Sequence, residues 1–217
     1  MGVGGNNTSD VVEELKHADF TGISAVLSVT PYYNKPTQEG LFQHYYALSQ
    51  ASPLPLILYN VPGRTGVNMT AETTLRIARA CSNVIAVKEA SGNLDQIKAI
   101  IDDAPQGFHL ISGDDAITTA VIEMGGIGVI SVFGNAFPRE MSCLVNSALE
   151  GNAINVRHKM EKDFNRLFHL IFVEGNPAGV KCILNLKGMA QNRLRLPLVP
   201  VSEKILLEIK EELARLD

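Results

Sequence analysis

Tryptophan is absent, and aromatic residues together make up 6% of the 217-residue chain. There is no Lys/Arg block, and 23 acidic against 19 basic side chains leave a net charge of -4. Such a surface offers neither stacking platforms nor a phosphate-tracking stripe, which argues against nucleic acid as a partner. No apolar run reaches the roughly twenty residues that a membrane span needs, and residues 1–8 are Gly/Asn-rich rather than basic then apolar. A cytoplasmic protein with no membrane partner is expected. Cysteine is scarce: Cys81, Cys143 and Cys182 lie far apart without CxxC or metal-ligand spacing, and are expected as buried free thiols. His17, His44, His109, His158 and His169 share no ligand spacing and are read as surface or core-edge residues, so no metal is expected. The glycines at Gly2, Gly4 and Gly5 follow no strand and lack the dinucleotide-loop spacing.

What the chain does have is apolar bulk, 46% of its residues, enough for one large domain. Short runs rich in Val, Ile and Leu recur at residues 22–29, 54–59, 84–87, 108–112 and 126–132, with a stub at 2–5. They do not alternate with polar residues, as expected of parallel strands covered on both faces. Between them, residues 37–51, 70–80, 94–101 and 115–124 carry apolar residues at three and four residue spacing. Thr70 with Glu72, and Asp114 or Asp115, supply oxygen acceptors for helix starts.

A run of βα units fits either an open doubly wound sheet or part of a closed barrel. Thr30, Tyr59, Lys88, Ser112 and Ser131 fall at or just past the carboxyl ends of successive strands. A barrel would aim all five into one mouth and an open sheet would scatter them, which favours the barrel. The later helical patterns, 138–149, 153–172, 177–187 and 202–216, suggest one last βα helix and an appended layer, with Pro197 and Pro200 in a loop before the final helix. The expectation is an α/β fold, a (β/α)8 TIM barrel lacking about its first two to three strands over residues 1–150, with a C-terminal helical extension over 151–217.

Lys88 ends an apolar strand. An ammonium turned into a packed barrel is costly to desolvate, so its pKa should fall and its neutral amine become a nucleophile toward carbonyls. The alternative is a lysine that passes the strand end and pairs with Glu89 or a rim aspartate. Tyr59 closes the preceding strand at the same height, where a phenol can shuttle protons, or it is a core-edge tyrosine. Arg64 sits in a Gly/Pro-shaped loop with a fork suited to a carboxylate, or it is a surface charge. Tyr32 and Tyr33 adjoin on a loop after a strand, as an interface or ligand lid, or as a loop-anchoring plug.

Tyr-Asn-Val-Pro-Gly-Arg-Thr-Gly from Tyr59, Val-Lys-Glu-Ala-Ser-Gly around Lys88, Val-Thr-Pro-Tyr-Tyr-Asn from Val29, Ser-Gly-Asp-Asp from Ser112 and Gly-Val-Ile-Ser-Val from Gly128 together resemble the dihydrodipicolinate synthase family of class I pyruvate aldolases, in order and spacing. The resemblance implies a (β/α)8 barrel with a helical extension. It further implies condensation of pyruvate with L-aspartate 4-semialdehyde to 4-hydroxy-tetrahydrodipicolinate, in lysine biosynthesis, through a covalent Schiff base and no cofactor. By resemblance Lys88 forms the imine, Tyr59 gives and takes the proton, and Arg64 holds the semialdehyde carboxylate. Gly113 and Ile130 line the pyruvate pocket, and Tyr33 reaches a neighbouring subunit's site, implying a homo-oligomer, usually a tetramer built as a dimer of dimers. Asn6 and Tyr32 match positions of a lysine-inhibitor site in some members of the family, and Asp10 stands where a glutamate is common in that site. The family's Gly-Thr-Thr-Gly-Glu motif does not occur in this sequence, so the expectation is a front-truncated chain of doubtful activity. Other readings are an N-acetylneuraminate lyase, a keto-deoxy sugar acid aldolase or an inactive partial barrel. The two aldolases share the Lys and Tyr but typically lack counterparts of Arg64 and Tyr33.

Overall fold

The computed structural model describes residues 1–216. They fall into two compact units, Met1–Ile130 and a second beginning at Ser131.

In the first unit the strands β1 (Val26–Val29), β2 (Leu56–Asn60), β3 (Val84–Glu89) and β4 (His109–Ser112) form a parallel sheet in sequence order. The helices α1 (Thr8–His17), α2 (Gln38–Ala51), α3 (Pro62–Thr65), α4 (Ala71–Ala80), α5 (Leu94–Asp102) and α6 (Thr118–Glu123) alternate with them. Thr37, Thr70 and Asn93 start α2, α4 and α5 by accepting hydrogen bonds from the amides of Gly40, Thr73 and Gln96. Consecutive parallel strands with a helix between each pair follow the barrel pattern. A buried cluster that includes Val26, Leu56, Leu58, Val87, Leu41 and Ile97 joins the sheet to its helices.

The predicted strands at 2–5 and 126–132 are reduced to single bridges, Gly2 with Leu27 and Ser112 with Val129. Their backbone still follows the parallel pattern: Val3 N donates to Leu27 O (3.0 Å), Ile127 N to Leu110 O (2.9 Å) and Ile130 N to Ser112 O (2.9 Å). Glycines break the ladder at 126–132, because Gly125 and Gly128 take φ of 115° and 154°. The helix expected over 115–124 shortens to α6, whose N-cap is Ile117 rather than an aspartate; Asp114 Oδ1 instead accepts from Ala116 N in the preceding turn. Helix α1 carries only two buried residues, Val11 and Leu15, too few to announce it by periodicity.

The pairing of β2 with β3 slips by one residue: Leu56 pairs with Val84, but Ile57 pairs with Ala86. Ile85 is the extra residue and is 36% exposed. Side chains alternate along a strand, so one inserted residue turns everything beyond it to the other face. Val84 and Val87, three apart, both join the buried cluster with Leu56 and Leu58. Lys88 therefore leaves that face and stands with Tyr59.

The second unit is helical: a 3-10 turn at Phe133–Asn135, then α7 (Pro138–Leu149), α8 (Ala153–Leu170), α9 (Ala178–Leu186) and α10 (Glu203–Ala214). Phe133 is its hub, with ring centroids 4.6 Å from Phe137, 5.3 Å from Phe164 and 4.4 Å from Phe168. All three cysteines are free, but Cys143 is exposed, against the expectation of three buried thiols. It lies beside Leu144 on α7, whose buried residues are Met141, Leu144 and Ala148. His44 also departs from the core-edge reading. It is 3% exposed, bonded through Nδ1 to Thr8 Oγ1 (2.9 Å), and burial pushes its pKa down to about 4, so the ring is neutral at pH 7.

Candidate active site

Tyr59 and Lys88 are partners across β2 and β3. The Lys88 ammonium lies 4.2 Å from the centre of the Tyr59 ring, within cation–π range. Lys88 is 9% exposed, and burial lowers its pKa. The charge of Asp115 opposes that shift and the charge of Arg64 adds to it. Burial likewise raises the pKa of Tyr59, with Arg64 pulling the other way. The pair is thus an amine made easier to deprotonate beside a phenol that keeps its proton.

Arg64 lies on the four-residue helix α3, which starts with Pro62 and stops at Gly66 in the left-handed conformation, φ 76°. Its guanidinium bears on both Lys88 and Tyr59. Behind it, Thr30 Oγ1 donates to Thr65 Oγ1 (3.3 Å), tying the loop after β1 to α3. Gly113 follows β4 at a position with no room for a side chain. A Cβ there would stand 2.6 Å from Ala90 Cβ and 3.1 Å from Lys88 Cε. Ile130, bonded through its amide to Ser112 O, runs on beside that turn.

The remaining predicted residues lie elsewhere in the first unit. Tyr33 is 87% exposed, with φ 73°, on the loop after β1. Asn6 O accepts from Asn34 Nδ2 (2.9 Å), so Asn6 adjoins the loop that carries Tyr32. Asp10 stands in the first turn of α1 and is exposed. Two residues near Lys88 play parts that the sequence reading gave otherwise. Asp115, read as a helix cap, is 5% exposed and its charge favours the Lys88 ammonium. Glu89, weighed as a partner of Lys88, bonds instead to Asn60, Ser91 and Gln96. The doubled acid of Ser-Gly-Asp-Asp was the available signal for Asp115, but nothing in the string separates a cap from a buried charge. Among the described residues no three His, Cys, Asp or Glu side chains gather as metal ligands, and no helix is long and apolar enough to cross a membrane.

Parallel βα units with a buried lysine and a tyrosine at adjoining strand ends define a barrel-type α/β protein equipped for carbonyl chemistry. Comparison with known proteins is specific. The sequence model of the dihydrodipicolinate synthetase family matches residues 1–216, and the chain belongs to that family. It is 58% identical over 216 residues to the 4-hydroxy-tetrahydrodipicolinate synthase of Parabacteroides distasonis, covering 100% of this chain and 72% of that protein. Among solved structures, dihydrodipicolinate synthase of Thermotoga maritima superposes with a TM-score of 0.93 at 43% identity, over 99% of this chain and 73% of that one. A monomeric dihydrodipicolinate synthase variant gives 0.93 at 43% identity over 98% and 72%.

Proposed function

We propose that the chain condenses pyruvate with L-aspartate 4-semialdehyde to 4-hydroxy-tetrahydrodipicolinate, a lyase reaction of lysine biosynthesis, with Lys88 as the imine-forming amine. The observation that carries this reading is the buried Lys88 ammonium held 4.2 Å from the Tyr59 ring centre, in a family whose relatives bear the synthase name. In this chemistry the neutral Lys88 amine adds to the ketone carbon of pyruvate and water leaves. Loss of a methyl proton gives the enamine. Its carbon bonds to the aldehyde carbon of the semialdehyde, whose oxygen takes up a proton. The semialdehyde's own amine then attacks the imine carbon, closing the ring and freeing Lys88. The imine itself supplies the electron sink, so no cofactor is called for.

Tyr59 donates and accepts the protons of the addition and dehydration steps. Arg64 takes the semialdehyde carboxylate, and Gly113 and Ile130 border the pyruvate pocket through backbone groups. Tyr33, with its ring in solvent, is offered to a neighbouring subunit in a homo-oligomer, a dimer of dimers. Borohydride reduction in the presence of pyruvate should add one pyruvyl group, located on Lys88 by peptide mass mapping. Labelling of a different lysine would sink the assignment.

Arg64→Ala should raise the Michaelis constant for the semialdehyde or lower its turnover by roughly thirtyfold or more, since a lost charge-assisted carboxylate contact costs about 2 to 4 kcal/mol. Pyruvate trapping should survive. Unchanged kinetics toward the semialdehyde would argue for a sugar-acid aldolase instead.

A further inference from the structure

We infer that Glu89 and Asn60 form a clamp that positions Lys88 for imine formation from the opposite face of the sheet; this rests on Lys88 being the imine-forming amine. Glu89 is fully buried, at 0% exposure, as is Asn60. The two are register partners, one step beyond the Tyr59 and Lys88 pair. Successive residues point to opposite faces, so the carboxylate and the amide meet on the helix side while the amine and the phenol meet on the other.

The Glu89 carboxylate accepts hydrogen bonds from Asn60 Nδ2 (2.9 and 3.2 Å), from Gln96 Nε2 (3.1 Å) and from the Ser91 amide (2.7 Å). All of these donors are neutral. A buried carboxylate satisfied by amides alone is a poor way to fill a core, which an apolar side chain would fill without desolvating a charge. What the arrangement does supply is geometry. Asn60 accepts in turn from the Met69 amide (3.0 Å) and donates to Asn68 Oδ1 (2.8 Å), fastening the end of β2 to the segment that leads into α4. Gln96 adds α5, and Ser91 fixes the turn after β3. The Glu89 carbonyl meanwhile accepts from the Gly113 amide (2.8 Å), bringing that glycine against Lys88 Cε.

Lysine has a long side chain with much rotamer freedom to lose. Its nitrogen stays over the Tyr59 ring only if the backbone that carries it does not rock. Small misplacements of a reacting group cost orders of magnitude in rate. The clamp holds the peptide units that follow Tyr59 and Lys88, and neither clamp side chain bonds to that reacting pair. Both are positioning residues.

The test starts from a near-isosteric substitution. Glu89→Gln turns an acceptor oxygen into an NH2 that faces the donors of Asn60 and Gln96. In the intact protein, Glu89→Gln should slow single-turnover borohydride trapping of pyruvate roughly a hundredfold at neutral pH. It should also move the pH midpoint of trapping upward, because a Lys88 released toward water regains the pKa of free lysine. Trapping by Glu89→Gln at the original rate with an unmoved midpoint would overturn the clamp. A protein with both residues intact that forms no adduct on Lys88 would instead overturn the imine assignment. If Glu89→Gln does not fold, Gln96→Leu removes one donor from a half-buried position on α5. There the expectation is a five- to tenfold slowing with the same direction of midpoint shift, and no change would count against the clamp.

Discussion

Lys88→Met will lose pyruvate trapping and at least roughly a thousandfold in turnover, yet melt at a higher temperature than the unmodified protein at pH 7. The first part follows from chemistry: a thioether forms no imine. The second follows from burial. Burial lowers the Lys88 pKa and Arg64 lowers it further, and the opposing pull of Asp115 does not cancel the two. The unfolded chain therefore holds a proton on Lys88 more readily than the folded one does. Unfolding takes up a proton between the lowered folded-state value and the free-lysine value of about 10.5, and below that window both states carry the charge, so there the group costs stability in full. The cost fades as pH rises through that window and is gone above it, where both states are neutral. Methionine fills a similar volume with no ammonium to desolvate. Melting curves at pH 7 and near pH 10 will show a gain in Tm that shrinks with rising pH. A destabilised variant at pH 7 would mean that the ammonium is a favourable structural ion and a poor candidate nucleophile, and a gain independent of pH would mean that methionine packing, and not removal of a desolvated charge, supplies it.

That combination of lost function and gained stability is expected where a fold holds a reactive group against its own preference. The surrounding structure shows how. The carboxyl ends of β2 and β3 carry two pairs, Tyr59 with Lys88 and Asn60 with Glu89, set back to back through the sheet. One pair faces the site and the other anchors the strand ends through neutral hydrogen bonds. The one-residue slip at Ile85 decides which face each pair takes.

The sequence made much of this legible and hid the rest for identifiable reasons. Lys88 and Tyr59 were readable because each closes an apolar strand, and apolar runs mark buried parallel strands whatever their detailed register. The slip at Ile85 was not readable, because Val84-Ile-Ala-Val is equally apolar on both faces and gives no period to break. Glu89 could be read as a rim partner of Lys88, since adjacency in the chain says nothing about which face a residue takes. Its true partners, Asn60 and Gln96, come from the preceding strand and the following helix. The fifth strand was overestimated because Gly126 to Val132 is apolar enough for a strand, while its glycines allow torsions that a regular ladder excludes. Helix α1 escaped because it buries one residue per turn, Val11 and Leu15, against a polar remainder. Arg64 was visible through the Gly/Pro frame around it, the same frame that makes α3 a single turn ending at Gly66.

Tyr59→Phe separates the ring from its hydroxyl. The ring lies 4.2 Å from the Lys88 nitrogen and contributes cation–π attraction and bulk, both of which phenylalanine retains in good part. Burial raises the Tyr59 pKa, so the phenol is protonated at neutral pH and is fitted to give a proton before it takes one back. Removing it should lower turnover by about a hundredfold or more, the range typical of a lost general acid. The thermal midpoint should move little, because among the described residues none is seen hydrogen-bonded to the half-buried hydroxyl, so its loss orphans no partner there. The Lys88 environment keeps its burial, its Arg64 and its Asp115, so the pH midpoint of pyruvate trapping should stay near its starting value while the trapping rate falls. This pattern is the opposite of the clamp variants, which move the midpoint. Turnover in Tyr59→Phe within a fewfold of the original would exclude the phenol as the proton carrier and leave the ring as a packing surface for the lysine.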